Sequence, residues 1–301
     1  MDSRLFCCVD GGASNTRVAL FDDTGQRLGL SVGGPTSLTI RGADAWQEIL
    51  SVLENVARAV SLEGDYLGQT HFGIGLAGAN NSAQRQLFME AAPRVGGLRV
   101  ATDAYVAALG AHGGAAGAVV IVGTGSVGYR IEAAGRCRLA GGWGFQVGDE
   151  GSGAWIGRQA IMQTVRVLDA RHRRPATAMH RAIGEHCGVT RDEMLSWLWG
   201  AEPARFAEIA PLVIECAGDG DMAALAIVTE AGREIDALAE ALDVTRNVPL
   251  ALVGGLAEPL DPFLPDRLRI WARAPQDEPI AGALMLARGQ APDETIVWQN
   301  R

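Results

Sequence analysis

The order of hydrophobic and polar positions along the chain predicts an α/β fold. Near the N-terminus, short polar turns separate three apolar runs that favour an antiparallel meander: LFCCVD, RVALFDD and RLGLSV. Strand-like runs such as THFGIGLAGA and LRVATDA then alternate with stretches of helical apolar spacing, over 44–60, SAQRQLFMEAAPR and 104–112. Ser82 is the expected N-cap of the second of these helices. Such alternation is typical of a mixed sheet covered by helices.

The pattern restarts near the middle of the chain. The runs AVVIVGTGS, VGYRIEAAG and RCRLAGG again predict a meander. When the two meanders are aligned with one constant shift in residue number, Gly12 aligns with Gly125 and Arg17 aligns with Arg130. We therefore expect two similar domains in tandem, with their equivalent hairpin tips facing each other across a cleft.

We place the domain boundary in the glycine-rich stretch GAHGGAAGA, so that residues 1–113 form the first domain and 114–301 the second. Much of the second half has helical spacing, with predicted helices over 153–171, 177–186, 191–199, 206–217 and 221–242. The part over 177–217 is interpreted as a helical insert. A strand in VPLALVGGLAEP and the run LRIWAR follow. The last predicted helix, 279–288, is a candidate to pack back on the first domain.

The composition restricts the classes of partner. With 48% hydrophobic residues among 301, the chain can form a large core. A formal net charge of -9 argues against nucleic acid as the main partner, because binding it requires clustered Lys and Arg side chains. We interpret the dense basic cluster RHRR, at 171–174, as a solvated helix end.

The sequence predicts neither a membrane segment nor a disulfide framework. The N-terminal apolar stretch is too short for a signal peptide, and no later stretch approaches the ~20 apolar residues that span a bilayer. We therefore expect a cytoplasmic protein without a membrane partner. The five cysteines are scattered without a CxxC pair, so we expect reduced thiols, with Cys7 and Cys8 as small apolar residues of a buried strand.

Two glycine-rich hairpin tips, DGGASNT at 10–16 and GTGS at 123–126, predict phosphate-binding loops. Small residues between apolar strands offer backbone N–H groups with no side chain to block close approach. Each tip alone is more often an ordinary tight turn, but the repeat, together with Asp10 in the first tip, favours a polyphosphate clamp. A carboxylate beside phosphates would hold Mg²⁺. No Walker motif is present, and no GxGxxG stretch lies between a predicted strand and a predicted helix.

Two further positions have a functional and a structural interpretation. Asp103 follows a strand, where α/β sheets expose functional groups, and is either a general base or the N-cap of a helix beginning at Ala104. Asp149 and Glu150, in GDEGSG, precede a helix and would suit its N-terminus, although two acids exceed what a cap requires. VGGLAEP, at 253–259, would suit a nucleobase and ribose, or a common turn.

Taken in order, VDGGASNTRVAL, ATDAYVAALGA, VVIVGTGSVGY, GGWGFQVGDEGSGAWIG and VGGLAEP cover nearly the whole chain. This set resembles the N-acetylglucosamine kinase and glucosamine kinase branch, of the BadF/BadG/BcrA/BcrD ATPase type, within the hexokinase and actin ATPase superfamily. The resemblance implies two ribonuclease-H-like domains with mixed sheets around an interdomain cleft. It also implies ATP- and Mg²⁺-dependent phosphorylation of an amino sugar, N-acetylglucosamine or glucosamine, at the 6-hydroxyl, and a homodimer with 177–217 as a candidate surface.

The resemblance also implies roles for individual residues. Asp103 would be the general base, and Asp10 would govern Mg²⁺. The phosphates would lie against the two tips, at Gly11, Gly12, Asn15, Thr16, Thr124, Gly125 and Ser126. The adenosine site would be lined by Gly254, Gly255 and Leu256. The sugar would contact Gly142, Trp143, Gly144 and Asp149.

The chain departs from the family pattern at one sugar contact. Kinases of this type tend to have an asparagine just past a GP pair, whereas GGPTSL places Ser37 or Thr36 there. The identity of the sugar is therefore open. Trp143 is a candidate platform for the sugar ring, although a core role is the default for any one of seven tryptophans.

Two alternative functions remain. One is an activator ATPase of the type that drives electron transfer into 2-hydroxyacyl-CoA dehydratases or benzoyl-CoA reductase. Such proteins hold an iron–sulfur cluster with cysteines, and this chain has no close cysteine pair besides Cys7 and Cys8. The other is a non-catalytic sugar sensor, against which the intact Asp10, Asp103 and phosphate loops argue.

Overall fold

The computed structural model describes residues 4–62, 64–132, 136–171 and 175–296. The last three residues of the basic cluster at 171–174 therefore lie outside the described residues. The chain forms two compact units. Of the described residues, the first unit contains those up to 119, those within 129–138 and those from 274 onward, and the second contains those within 120–128 and 139–273.

The strands of the described residues form two mixed sheets. In chain order they are β1 Leu5–Gly11, β2 Thr16–Phe21, β3 Arg27–Gly33, β4 Thr70–Leu76, β5 Gly97–Thr102, β6 Gly117–Val122, β7 Ser126–Ile131, β8 Arg136–Gly141, β9 Leu250–Val253, β10 Ala272–Arg273 and β11 Thr295–Ile296. The first sheet has the order β3-β2-β1-β4-β5, and the second has the order β10-β9-β6-β7-β8-β11. The run β8-β7-β6-β9-β10 repeats the order of the first sheet.

The predicted N-terminal meander is confirmed. Strands β1, β2 and β3 pair antiparallel, and β4 and β5 continue the sheet in parallel with β1. The register places Asp10 opposite Arg17 at one end of the hairpin. Because β1 is buried on both faces, Cys7 and Cys8 are fully enclosed, as the sequence predicts.

The helices account for most of the rest of the described chain. In order they are α1 Leu38–Arg41, α2 Ala45–Ala59, α3 Ser82–Glu90, α4 Asp103–Ala111, α5 Gly153–Leu168, α6 Ala178–Cys187, α7 Arg191–Leu198, α8 Pro203–Ala207, α9 Ala210–Gly218, α10 Met222–Leu242, α11 Ala257–Leu260, α12 Asp266–Trp271 and α13 Pro279–Ala287. No helix within the described residues is both long and apolar enough to cross a bilayer.

Two details of the predicted helices are wrong, and the run LRIWAR contains two kinds of element. Asn81, rather than Ser82, caps α3, since its side chain accepts from the N–H groups of the second and third helical residues. The predicted helix over 206–217 is interrupted between α8 and α9, where Pro211 lacks an N–H and therefore starts a new helix. The run LRIWAR is the end of α12 followed by a short strand.

Helix α13 packs on α4 and on the first sheet at distances that only glycine allows. A Cβ atom added at Gly282 would lie 1.9 Å from the carbonyl oxygen of Val106 in α4. A Cβ atom added at Gly73 in β4 would lie 2.0 Å from the carbonyl oxygen of Ala283. Gly282 therefore sets how closely α13 approaches α4, and Gly73 sets how closely α13 approaches the first sheet.

This packing predicts that Gly282→Ala destabilises the first unit. The added methyl group has to displace backbone, and such overpacking costs typically about 1–3 kcal/mol. The measurement is the urea midpoint by circular dichroism. Gly68→Ala is the control in the same unit, because its Cβ atom would meet only Asp65 at 4.0 Å. Equal midpoints for the two variants would contradict the proposed packing constraint.

Candidate active site

The first predicted phosphate loop is a tight hairpin tip between β1 and β2. The Gly12 N–H donates to the Asn15 carbonyl at 2.9 Å and closes the tip. The Thr16 hydroxyl is buried and bonds the Thr36 hydroxyl at 2.7 Å. A Cβ atom at Gly11 would lie 2.3 Å from that Thr36 oxygen, so Gly11 is also required for packing beneath the tip.

Asp10 is the penultimate residue of β1, beside this tip. Burial raises the pKa of its carboxyl to about 6, the facing Arg17 guanidinium acts in the opposite direction, and Glu278 raises it further. Arg17 itself forms an ion pair with Glu278. Within the described residues no donor hydrogen-bonds the Asp10 carboxylate, which keeps partial solvent access. Its oxygens are therefore left for water or a ligand.

Asp103 is the first residue of α4, and the alternative that it caps this helix is wrong. The N-cap is Thr102, whose hydroxyl accepts from the Tyr105 N–H at 3.1 Å. The Asp103 carboxylate accepts from the Ala104 N–H, on Oδ1 at 2.9 Å, and its own N–H also lowers its pKa. Since Thr102 performs the capping, the Asp103 carboxylate is available for chemistry at the carboxyl end of β5.

Asp10 and Asp103 belong to one electrostatic site in the first unit. Burial raises the pKa of Asp103 to about 7, and the negative charge of Asp10 is the next cause. The charge of Glu294 raises it further, while the Ala104 N–H lowers it. A carboxyl group with a pKa near neutrality is suited to accept a proton at physiological pH.

The second predicted phosphate loop, 123–126, lies in the second unit and is hydrogen-bonded to the GDEGSG segment and the start of α5. The N–H groups of Gly153 and Ala154 donate to the carbonyls of Gly123 and Thr124 at 2.8 and 3.1 Å. The Ser126 hydroxyl donates to the Glu150 carbonyl at 2.7 Å. The tip is thus attached to the first turn of α5.

Asp149 lies against this second tip. Its Oδ1 is 3.4 Å from the Ser126 nitrogen, which donates to it, and its backbone is left-handed with φ 59°. Burial raises the pKa of Asp149, the Ser126 N–H lowers it, and Glu150 raises it. Neither acid caps α5, because Ser152 does so by accepting from the Trp155 N–H at 3.2 Å. The capping interpretation of the two acids is therefore wrong.

The third predicted segment, 254–256, follows β9 in the second unit. Gly254 has φ 99°, and a Cβ atom there would lie 2.4 Å from the Val122 carbonyl oxygen. That oxygen accepts from the Leu256 N–H at 3.0 Å, which holds the segment against the end of β6. A Cβ atom at Gly255 would meet nothing within 4 Å, so this glycine borders open space.

The predicted sugar contacts are divided between the units. Ser37 is buried at the start of α1 in the first unit. Gly142 and Gly144 lie in the second unit in left-handed conformations, with φ 68° and 85°. Trp143 between them is 71% exposed, so its default assignment to the core is wrong.

Sequence reasoning missed the residues that hold Asp103 in place. Thr102 is the cap, and Glu294, near the other end of the chain, accepts from both its N–H and its hydroxyl. The strand-to-helix position of Thr102 was a usable signal, because threonine is a common N-cap. The second of two adjacent acids in the segment APDET carries no local signal of a partner 192 residues away.

The residues present fit a magnesium–nucleotide group. Within the described ranges no cluster of three or more His, Cys, Asp or Glu side chains is arranged to hold a metal ion. Mg²⁺ does not need such a cage, because it is usually bound by one or two carboxylates together with substrate phosphates and water. The unpartnered oxygens of Asp10, beside a glycine-rich tip, match that requirement.

Comparison with known proteins identifies relatives over nearly the whole chain. The model of the BadF/BadG/BcrA/BcrD ATPase family matches residues 8–287. Glucosamine kinase GspK of Vibrio cholerae serotype O1 is 29% identical over 279 residues, which are 93% of this chain and 94% of that protein. The structure of a proposed N-acetylglucosamine kinase from Chromobacterium violaceum has a TM-score of 0.90 and 39% identity, covering 94% of this chain and 99% of that one.

A more distant likeness concerns the fold alone. The ROK family glucokinase of Streptomyces griseus, solved with glucose and AMPPNP, has a TM-score of 0.54 and 19% identity, covering 95% of this chain and 99% of that one. The α/β fold with two mixed sheets is thus similar to that of ROK kinases.

The raised pKa of Asp103 predicts that this residue destabilises the folded protein at neutral pH. Between about pH 4, where a free carboxyl titrates, and about pH 7, the folded protein keeps a proton that the unfolded chain loses. Stability therefore falls as the pH rises through this window. Asp103→Asn, which can still accept from Ala104, should have a higher urea midpoint than the wild type at pH 8 and an equal one near pH 4, both without divalent metal.

Asp22→Asn is a control for which we expect a change in stability of the opposite sign. The Thr24 hydroxyl and nearby backbone N–H groups lower the pKa of Asp22, so this charge stabilises the fold above the ordinary carboxyl range. The variant should lose stability at pH 8. Equal effects of Asp103→Asn at both pH values would contradict the electrostatic description of the site.

Proposed function

Because this chain belongs to the BadF/BadG/BcrA/BcrD ATPase family, we propose that it is an ATP-dependent kinase that phosphorylates the 6-hydroxyl of glucosamine or N-acetylglucosamine. A glucosamine kinase and a proposed N-acetylglucosamine kinase align over more than nine-tenths of the chain. The observation that carries the proposal is the state of Asp103. It is a carboxyl group with a pKa near neutrality, at the end of a strand, and the helix does not need it as a cap.

The proposed architecture is a tandem of two ribonuclease-H-like domains. The repeat of strand order between the two sheets supports this arrangement, as does the meander that begins each half. The helices α6 to α9, which cover the predicted insert at 177–217, would then be an insert in the second domain. The clamp formed by two facing tips, the homodimer and the cytoplasmic location stay predictions.

Asp103 is proposed to be the general base. Phosphoryl transfer to an alcohol requires a carboxylate that orients the hydroxyl and accepts its proton, while the hydroxyl oxygen attacks in line with the γ-phosphate. The Ala104 N–H on Oδ1 fixes the carboxylate and leaves Oδ2 for the sugar hydroxyl. Burial keeps the group weakly hydrated, which makes it a better proton acceptor.

The remaining site residues are proposed to bind ATP, Mg²⁺ and sugar. When bound, Mg²⁺ would neutralise charge on the phosphates, and Asp10 would hold it directly or through water. Backbone N–H groups of the two tips are proposed to bind phosphate, and Gly254, Gly255 and Leu256 to form a ledge for adenosine. The open space beside Gly255 supports this ledge. Ser37, Gly142, Trp143, Gly144 and Asp149 remain the proposed sugar contacts.

No observation favours the activator ATPase or the sensor. Cys7 and Cys8 are fully buried in β1, and all five cysteines are free thiols. A cluster shared between two subunits would need exposed cysteines, so the activator chemistry is not supported. The sensor would have no use for a carboxyl group with the raised pKa of Asp103.

The first test is ADP release with Mg²⁺-ATP and a panel of sugars. We expect turnover with glucosamine or N-acetylglucosamine well above that with glucose, N-acetylmuramic acid or no sugar. Equal ADP release with and without every sugar would refute the kinase and favour an ATPase. Tight amino-sugar binding without ADP release would favour the sensor.

The second test is removal of the proposed base. Asp103→Asn and Asp103→Ala should lower kcat by about 10²–10⁴-fold, the usual contribution of a general base. The Kd for ATP, measured calorimetrically, should stay within about two-fold of the wild type, since Asp103 is not proposed to touch the nucleotide. Loss of ATP binding at unchanged kcat would refute the assignment.

A further inference from the structure

A single buried carboxylate joins four donors next to the proposed base. The side chain of Glu294 is 1% exposed. Its Oε2 accepts from the Thr102 N–H at 3.1 Å and lies 3.3 Å from Nη1 of Arg85. Its Oε1 accepts from the Thr102 hydroxyl at 2.6 Å and from the Tyr129 hydroxyl.

These contacts converge on the residue immediately before Asp103. The Thr102 hydroxyl donates to Glu294 and at the same time accepts from the Tyr105 N–H. A continuous chain of hydrogen bonds thus runs from Glu294 through Thr102 to the first turn of α4. Because Thr102 and Asp103 share a peptide bond, this chain fixes the direction in which Asp103 leaves β5.

The segment around Glu294 is held on both sides. The carbonyl oxygen of Pro292 accepts from the Tyr105 hydroxyl at 2.6 Å. Asp293 forms an exposed ion pair with Arg99 at 2.9 Å, and β11 pairs in parallel with β8. The backbone therefore has anchors of its own, and Glu294 is not needed merely to attach the segment.

We propose that Glu294 is a positioning residue, which holds the Asp103 carboxylate in its catalytic orientation by bonding both the N–H and the hydroxyl of Thr102. The inference rests on the proposed kinase function and goes beyond it, because Glu294 contacts neither substrate nor reacting atoms. Its orienting action passes through the backbone and hydroxyl of the capping residue.

The desolvation of Glu294 argues that its role is to orient Asp103 and not simply to stabilise the fold. Desolvating a carboxylate costs several kcal/mol, and replacing a buried ion pair with apolar side chains is often neutral or stabilising. A buried acid with four donors on two oxygens, by contrast, allows little freedom of orientation. Glu294 also adds to the negative potential at Asp103, after burial and Asp10. Its arrangement is therefore suited to orientation.

The test compares kcat, KM and thermal midpoint for variants at the two ends of the hydrogen-bond chain. Glu294→Ala removes the acceptor, and Thr102→Val removes the hydroxyl while keeping the size of the side chain. Thr102→Ser restores the hydroxyl. Asp293→Asn is the matched control, because it removes an acid of the same segment that pairs with the exposed Arg99 instead of with Thr102.

We expect Glu294→Ala and Thr102→Val to lower kcat at least ten-fold, with KM for ATP within two-fold of the wild type. Thr102→Ser and Asp293→Asn should keep kcat within two-fold of the wild type. Thr102→Val preserves the test if Glu294→Ala does not fold. A lower thermal midpoint with unchanged kcat in both Glu294→Ala and Thr102→Val would overturn the inference, as would an equal loss of kcat in Asp293→Asn.

The two proposals fail in different ways. A wild-type protein without sugar-dependent ADP release refutes the kinase, and the positioning role with it. An active wild type whose kcat is unaffected by Glu294→Ala and Thr102→Val refutes only the positioning role.

Discussion

The hydrogen bond from the Tyr105 N–H to the Thr102 hydroxyl is the contact on which the proposed chemistry depends. A helix N-terminus has N–H groups without intrahelical partners, and an aspartate placed there is readily used to bind them. Here the hydroxyl takes that position, so the neighbouring carboxylate need not serve as the side-chain cap. The second unit repeats the arrangement, with Ser152 capping α5 after Asp149 and Glu150. In both places a neutral oxygen caps the helix and an acid beside it remains available.

Burial then gives the acids of the first unit their properties. Asp10 and Asp103 lie in poorly hydrated surroundings, which raise the pKa of each, and repulsion by the charge of Asp10 raises the pKa of Asp103 further. A cation between phosphates and Asp10 would remove this repulsion, and the same surroundings would strengthen its binding. The site is therefore less stable alone than with its ligands, which is the usual relation between function and stability.

The sequence predicts strands and long helices well, because they depend on the spacing of apolar residues. The meanders and α2 follow from that spacing alone. Prediction from the sequence fails where the local structure depends on a single atom or on a partner far away in the chain. Asn81 displaces Ser82 as a cap, and Pro211 interrupts a helix whose apolar pattern is continuous. Trp143 has the large apolar side chain that is typical of a core residue, but it is exposed. The contact between Glu294 and Thr102 joins opposite parts of the chain, and no local pattern encodes it.

The contacts between distant parts of the chain nevertheless have one effect in common, because both restrain α4. Helix α4 is held along its length by α13, where Gly282 allows the backbones to meet, and at its first turn by Thr102 bonded to Glu294. Both restraints come from residues after 278, far in sequence from Asp103. Contacts of large sequence separation carry a high loop-closure cost and form only when most of the chain is ordered. The orientation of Asp103 is thus a property of the completed first unit and not of the strand and helix that carry it.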